Sequence, residues 1–219
     1  MQNQPEENFK DLPSVHAAAI ADILDELGLR RQSLSPEIQP LLPDSRVFGR
    51  ALTVLAGSTW VKADEPYRKE LEAVDALRAG DVLVATVMGS ETCGFWGELL
   101  TTAALANGAT GAVIDGYTRD SPAIREMGFP LFARGASPLD SHGRSEVIRY
   151  AEPIECGGVR VETGDYLFGD SDGLVVIPAD RVAEVLDAAS QKIGVEGEMR
   201  KALRQGMPVM DAYDKFGVL

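Results

Sequence analysis

The spacing of apolar and polar positions changes several times along the chain, and each change marks an element. Val15 to Leu27 carries apolar residues at helical spacing, and Gly28 follows as a C-terminal stop. Arg50-Ala-Leu-Thr-Val-Leu-Ala56 and Asp81-Val-Leu-Val-Ala-Thr-Val87 read as strands, the second after an Ala-Gly turn signal. Between them, the polar stretch Asp64 to Leu77 predicts a helix over Tyr67 to Leu77. Glu98 to Ala106 predicts a helix closed by Asn107-Gly108, then a short buried strand, Ala112-Val-Ile114. A helix over Pro122 to Met127, with Gly128 after it, precedes the strand Phe129 to Ala133. This alternation indicates an α/β architecture. From Val159 to Pro178 short strands are separated by Thr163-Gly-Asp165 and Gly169-Asp-Ser-Asp-Gly173, which points to antiparallel structure. The expected fold is therefore a layered α/β/β domain with a mixed sheet, not a simple doubly wound one. A last helix is expected from Asp180 to Gln205. Its apolar stripe is Val182, Val185, Leu186, Ala189 and Ile193, and Gly194 and Gly197 weaken or bend it. No internal repeat stands out, so the expectation is a disordered lead over 1–13 and one domain over 14–219.

Composition narrows the function. A chain of 219 residues, 45% hydrophobic and 25% charged, can bury a substantial core. No apolar run approaches the roughly 20 residues that span a bilayer. The start is polar and acidic, without the regions of a signal peptide, so a cytoplasmic location is expected. A net charge of −13 argues against a broad nucleic-acid surface. It leaves room for a small anionic substrate, because one or two arginines can dominate a pocket. Cys93 and Cys156 form no CxxC pair, and His16 and His142 are the only imidazoles. A metal site here would use oxygen ligands, which favours Mg²⁺ or Mn²⁺ over zinc.

The informative block is Phe95-Trp-Gly-Glu-Leu-Leu-Thr-Thr-Ala-Ala followed by Gly111-Ala-Val-Ile-Asp-Gly-Tyr-Thr-Arg-Asp120. Gly97 falls at a helix start, so the amides of Glu98, Leu99 and Leu100 lack intrahelical acceptors and can hold an anion. Arg119 and Asp120 follow a strand, where α/β folds place functional groups. If the two segments face each other, amides and guanidinium hold an anion while the carboxylate holds a metal. That combination suits a 2-oxo acid, whose carboxylate and keto oxygen chelate Mg²⁺. Each piece also has a plain alternative. Asp120-Ser-Pro is a good helix N-terminus, Arg119 alone is a surface charge, and Glu98 suits the positive end of its helix. Asp115-Gly116 reads as a turn, and Asp170-x-Asp172 as a tight turn rather than a Ca²⁺ loop.

Four ordered blocks carry a family resemblance. They are Gly97-Glu-Leu-Leu-Thr-Thr-Ala-Ala, Val113-Ile-Asp-Gly-Tyr-Thr-Arg-Asp120, Pro130-Leu-Phe-Ala-Arg-Gly135 and Gly169-Asp-Ser-Asp-Gly-Leu-Val-Val-Ile-Pro178. From about Ser14 onward the chain resembles the 4-hydroxy-4-methyl-2-oxoglutarate aldolase family. That family shares its fold with the regulator of ribonuclease activity A, and members have often been labelled demethylmenaquinone methyltransferases. Its signature is an acidic residue, twenty intervening positions, then Arg-Asp, which Glu98 and Arg119-Asp120 match. Many aldolases have Asp at the first position, so Glu98 is a departure.

The resemblance implies roles for these residues. Asp120 would ligate Mg²⁺ or Mn²⁺ directly, and Arg119 would hold the substrate and stabilise a developing enolate. The Gly97 helix start, through the Leu99 and Leu100 amides, would complete the carboxylate site. Glu98 would position a metal-bound water acting as proton shuttle. A neighbouring subunit's C-terminal helix would add an acidic residue. Glu196 falls on the apolar-stripe register of that helix and Glu198 does not, although a solvated helix charge is an equal reading of Glu196. The implied protein is a homotrimer or homohexamer. It would cleave 4-hydroxy-2-oxo acids to pyruvate and decarboxylate oxaloacetate. No lysine lies between Lys69 and Lys192, consistent with chemistry that needs no Schiff base. The competing reading is a protein-binding regulator of a ribonuclease on the same fold. A methyltransferase would need a Gly-rich loop after a first strand, and Gly108-Ala-Thr-Gly111 instead precedes its strand.

Overall fold

A strand whose residues are all buried must have its two sides covered, and the covering layers organise this fold. The computed structural model describes residues 15–218, so the lead expected over 1–13 lies outside the described residues. The chain gathers into two units, one of residues up to Arg30 with those from Asp180 onward, the other of Arg31–Ala179. The first helix, α1 (Ala17–Glu26), belongs to the former.

The Arg31–Ala179 unit runs β1 (Gln39–Pro40), β2 (Val47–Ser58), α2 (Arg68–Asp75), β3 (Asp81–Thr86), β4 (Gly94–Trp96), α3 (Glu98–Ala106), β5 (Gly111–Thr118) and α4 (Ser121–Glu126). It continues with β6 (Leu131–Ala136), β7 (Ser145–Tyr150), β8 (Ile154–Cys156), β9 (Val159–Val161), β10 (Tyr166–Asp170) and β11 (Gly173–Ile177). Nine strands form one mixed sheet in the order β1-β6-β5-β3-β2-β10-β11, with β4 added to β5 and β7 to β2. Strands β2, β3, β5 and β6 pair in parallel, and β10 returns antiparallel to β2.

Alternation along β3 assigns the faces. Leu83 and Ala85 join a cluster with Val74 of α2, Ala104 of α3 and Ile124 of α4. Val82 and Val84 join the opposite cluster with Ile154, Cys156, Val159 and Val161 of the β8–β9 hairpin. The unit is thus helices, mixed sheet and β hairpin in layers, as the pattern anticipated. The β10–β11 turn is also the tight one expected, closed by an Asp172 N–H donating to Asp170 at 2.9 Å.

Two local expectations fail for physical reasons. Asp115-Gly116 is not a turn: β5 runs through it, and pairing with β6 slips in register there. Asp115 is buried but satisfied, accepting from Arg134 Nε at 2.5 Å and Gly157 N at 2.7 Å. Strand β4 was not anticipated, since three residues carry no readable period.

The other unit contains α1, α5 (Val182–Arg204) and α6 (Val209–Phe216). Lys192 on α5 pairs with Asp22 at 2.8 Å and Glu26 at 3.6 Å on α1. Val182, Val185, Leu186 and Ala189 of the anticipated stripe are buried, while Ile193 is only partly so. Gly194 and Gly197 do not interrupt the helix. Among the described residues no helix is long and apolar enough to cross a membrane.

Candidate functional site

The parallel pairing of β4 with β5 sets Gly94 beside Tyr117 and Trp96 beside Thr118. It therefore carries the start of α3 alongside the end of β5. Trp96 O accepts from Arg119 N at 2.7 Å and from Thr118 Oγ1 at 2.9 Å, and Ser137 N donates to Thr118 O at 2.8 Å. These bonds clamp the backbone just before Arg119 and Asp120.

Asp120 itself has φ +55°, a left-handed conformation that Asp tolerates better than most side chains. Its carboxylate does not cap α4, the helix it precedes. Oδ2 instead accepts from Glu98 N at the start of α3, at 3.2 Å, and lies 3.4 Å from Arg119 Nε. The helix-start alternative holds for the backbone, since Asp120 occupies the N-cap position of α4 and its carbonyl accepts from Ile124 N at 3.2 Å, while its carboxylate serves the other helix. Space at this junction is tight at Gly97: a Cβ there would sit 2.9 Å from Asp120 Oδ2 and 3.2 Å from Arg119 Cγ, so both side chains would have to shift. Among the described residues, the amides of Leu99 and Leu100 have no acceptor. The helix start thus faces outward with donors to spare.

These groups line a cleft of about 390 Å³ with Tyr67, Glu70, Leu100 and Asp140. Gly97, Leu99, Arg119 and Asp120, all anticipated from sequence, are brought together in it. The Glu98 carboxylate is not. It accepts from Thr102 Oγ1 at 3.2 Å, one turn along its own helix, and does not line the cleft. Glu196 lies on α5 in the other unit, its side chain 19% exposed and 3.8 Å from Arg200, whereas Glu198 is exposed.

Three cleft residues escaped the sequence reading. Asp140 accepts from Arg119 Nη1 at 2.8 Å and from the Tyr67 hydroxyl at 2.5 Å. Burial opposes its charge, yet the Tyr67 hydrogen bond and the Arg119 guanidinium hold its carboxyl below the usual carboxylate range. The same hydrogen bond, with burial, pushes the Tyr67 hydroxyl up to about 12. Tyr67 has φ +66°, and its tie to Asp140 and ring contact with His142 hold it in this uncommon conformation. Glu70 is the third. It sits on the buried face of α2 with Ala73 and Val74, and burial followed by the charge of Asp140 pushes its carboxyl up to about 8. The signal was present: positions 70, 73, 74 and 77 are an apolar stripe with one acidic member.

The chain is similar to several known proteins. Protein DlpA of Legionella pneumophila is 28% identical over 208 residues, taking in 95% of this chain but 33% of DlpA, so the chain spans a third of that relative's length. A protein of Halalkalibacterium halodurans named "Putative 4-hydroxy-4-methyl-2-oxoglutarate aldolase" is 31% identical over 205 residues, 94% of this chain and 91% of that protein. Among solved structures, Streptomyces coelicolor RraAS2 is described as an unusual member of the RNase ES inhibitor RraA protein family. It aligns with a TM-score of 0.77 and 31% identity, over 85% of this chain and 91% of that one. Residues 17–176 match the RraA-like family, Aldolase/RraA, and the chain belongs to that family.

Proposed function

We propose that this protein is a divalent-metal-dependent carbon–carbon lyase acting on small 2-oxo acids. It would cleave 4-hydroxy-2-oxo acids, such as 4-hydroxy-4-methyl-2-oxoglutarate, to pyruvate and decarboxylate oxaloacetate through a pyruvate enolate. The observation that supports this most is the convergence of Arg119, Asp120 and the open Leu99 and Leu100 amides on one cleft. The aldolase name of the H. halodurans relative points the same way.

The donor set fits a hard cation. No described hydrogen bond ends on Asp120 Oδ1, and the side chain is 40% exposed. Among the described residues no three His, Cys, Asp or Glu side chains form a ready cage, so most of the shell would be water, as Mg²⁺ and Mn²⁺ accept. When bound, such an ion supplies Lewis-acid polarisation of the keto oxygen. Asp120 would hold it directly and Glu98 through water, with Glu196 reaching in from a neighbouring copy of a homotrimer or homohexamer. The Leu99 and Leu100 amides bind the substrate carboxylate at the positive end of α3. Arg119 would stabilise charge developing on the keto oxygen as the C–C bond breaks.

The direct test is pyruvate release from oxaloacetate and from 4-hydroxy-2-oxo acids, with Mg²⁺ and with EDTA. Wild type is expected to be active only with the ion, and Asp120→Ala to fall to the background rate. Equal background rates for both proteins would end this reading and favour the protein-binding role that the RraAS2 description suggests for its family.

Gly97→Ala tests the junction itself. Its Cβ presses on Asp120 Oδ2 and Arg119 Cγ and shifts both side chains from their places, so kcat/KM should fall by up to about 100-fold. Gly97 has φ −143°, which alanine adopts freely, so the melting temperature should stay close to wild type.

A further inference from the structure

Cleavage leaves an enolate whose methylene carbon has to be protonated, and apart from a water on the ion, which Glu98 would position, few groups lining the cleft have a proton to give. The Tyr67 hydroxyl is committed to Asp140, and Asp140 is held as an anion by Arg119 and Tyr67. Arg119 is itself shared between Asp140 and Asp120. Glu98 turns its carboxylate to Thr102. Glu70 remains.

Its geometry is that of a donor. The residue is 8% exposed, lines the cleft, and no described hydrogen bond reaches its carboxyl. A buried carboxyl with neither a hydrogen-bond partner nor its own counter-ion stays neutral. Asp140 adds repulsion against ionisation, and the group titrates at about 8. Glu70 and Tyr67 also line a second, larger cleft of about 580 Å³, with His142 and Glu146 in its wall. Glu70 therefore borders both clefts.

We propose that Glu70 is a further catalytic residue, the acid that returns a proton to the methylene carbon of the pyruvate enolate. The inference rests on the lyase reading and deepens it. In oxaloacetate the C–C bond to the departing carboxylate breaks, CO₂ leaves, and the electron pair passes into the enolate. The Glu70 O–H bond then breaks as a C–H bond forms at the methylene carbon, giving the methyl group of pyruvate and the Glu70 carboxylate. A proton taken up from solvent, the one the overall reaction consumes, restores the acid. In reverse, the Glu70 carboxylate removes a methyl proton from pyruvate, so the enzyme exchanges those protons with solvent.

The experiment compares wild type and Glu70→Gln with Mg²⁺ in D₂O. It follows exchange of the pyruvate methyl protons by NMR and, separately, pyruvate formation from oxaloacetate. Glutamine keeps the shape of a neutral glutamic acid but carries no transferable proton. Exchange should fall at least about 100-fold, the usual contribution of a general acid, and decarboxylation much less, since its C–C step needs no proton from Glu70. If both rates fall equally, or exchange is unchanged, Glu70 is not the donor although the lyase reading stands. If wild type shows neither activity, the lyase reading fails and takes this one with it.

Melting curves supply a readout independent of turnover. The titratable and charged groups that share its surroundings are Asp140, Tyr67 and Cys93, with Arg119 and Asp120 lining the first cleft and Lys69, Glu72, His142 and Glu146 among those lining the second. A carboxyl whose folded pKa is raised costs stability as pH climbs from its unfolded value towards 8, because the unfolded chain releases the proton first. Wild type should therefore lose melting temperature relative to Glu70→Gln between pH 5 and pH 8, and parallel curves would overturn the assignment. Should Glu70→Gln not fold, Glu70→Asp takes its place in the exchange assay. There a partial, exchange-selective loss is expected, and an equal loss of both rates overturns the proposal.

Discussion

Arg119→Ala is expected to lower kcat for Mg²⁺-dependent pyruvate release by about 10³-fold, the cost of removing a charge-stabilising donor from a transition state. The guanidinium is only 34% exposed and bridges Asp140 and Asp120 at 2.8 and 3.4 Å. Its removal takes away the donor and leaves two carboxylates sharing one cleft without the cation between them. KM should rise as well, because the substrate carboxylate would enter a more negative cavity. Arg119→Lys keeps the charge but not the planar fork that spans both carboxylates, so it should recover only part of the loss. Steady-state kinetics on oxaloacetate decide the matter. A decrease below about tenfold in the alanine variant would remove Arg119 from charge stabilisation.

The largest stability effect is expected away from the cleft, at Asp115. This buried carboxylate ties three segments together, accepting from Arg134 on β6, from Gly157 at the β8–β9 turn, and sitting on β5 itself. Asp115→Ala leaves the Gly157 N–H buried and unpaired, and Arg134 held only by the exposed Glu37. The cost should be about 3 kcal/mol, a fall in melting temperature of about 10 °C for a chain of this size. Asp115→Asn preserves an acceptor for Gly157 and should lose much less. Thermal melting of the two variants separates these outcomes.

The two sites differ in how legible they were. The βαβ alternation, the C-terminal helix and the Arg119–Asp120 pair follow from short-range rules, because helix starts, strand ends and apolar periods are local properties. Asp115 was misread for the same reason. An Asp-Gly pair is a turn signal locally, and only the distant Arg134 and Gly157 N–H make it stable inside a strand. Asp140 lies in a stretch without period, and nothing in the sequence says that the loop after β6 returns to Arg119. Glu70 could have been noticed as an acid on an apolar stripe, but its meaning depends on Asp140, which comes from another loop. Glu98 was placed correctly at the start of α3, yet the direction of its side chain depends on Thr102 and was not readable.

The unit that joins α1 to α5 has a temporal consequence. Its two helices meet through Lys192, Asp22 and Glu26, yet all of residues 31–179 must be synthesised between them. While a ribosome makes this chain, α1 emerges early with Ile20, Ile23 and Leu24 awaiting their final surroundings. The sheet strands can pair in the meantime, since their own contacts are already present. Closing so long a loop adds entropy that grows only slowly with length, so the delay costs time more than stability. Until α5 is released, that exposed helix is the point at which a nascent chain of this protein is most open to a chaperone or to a neighbour on the same messenger.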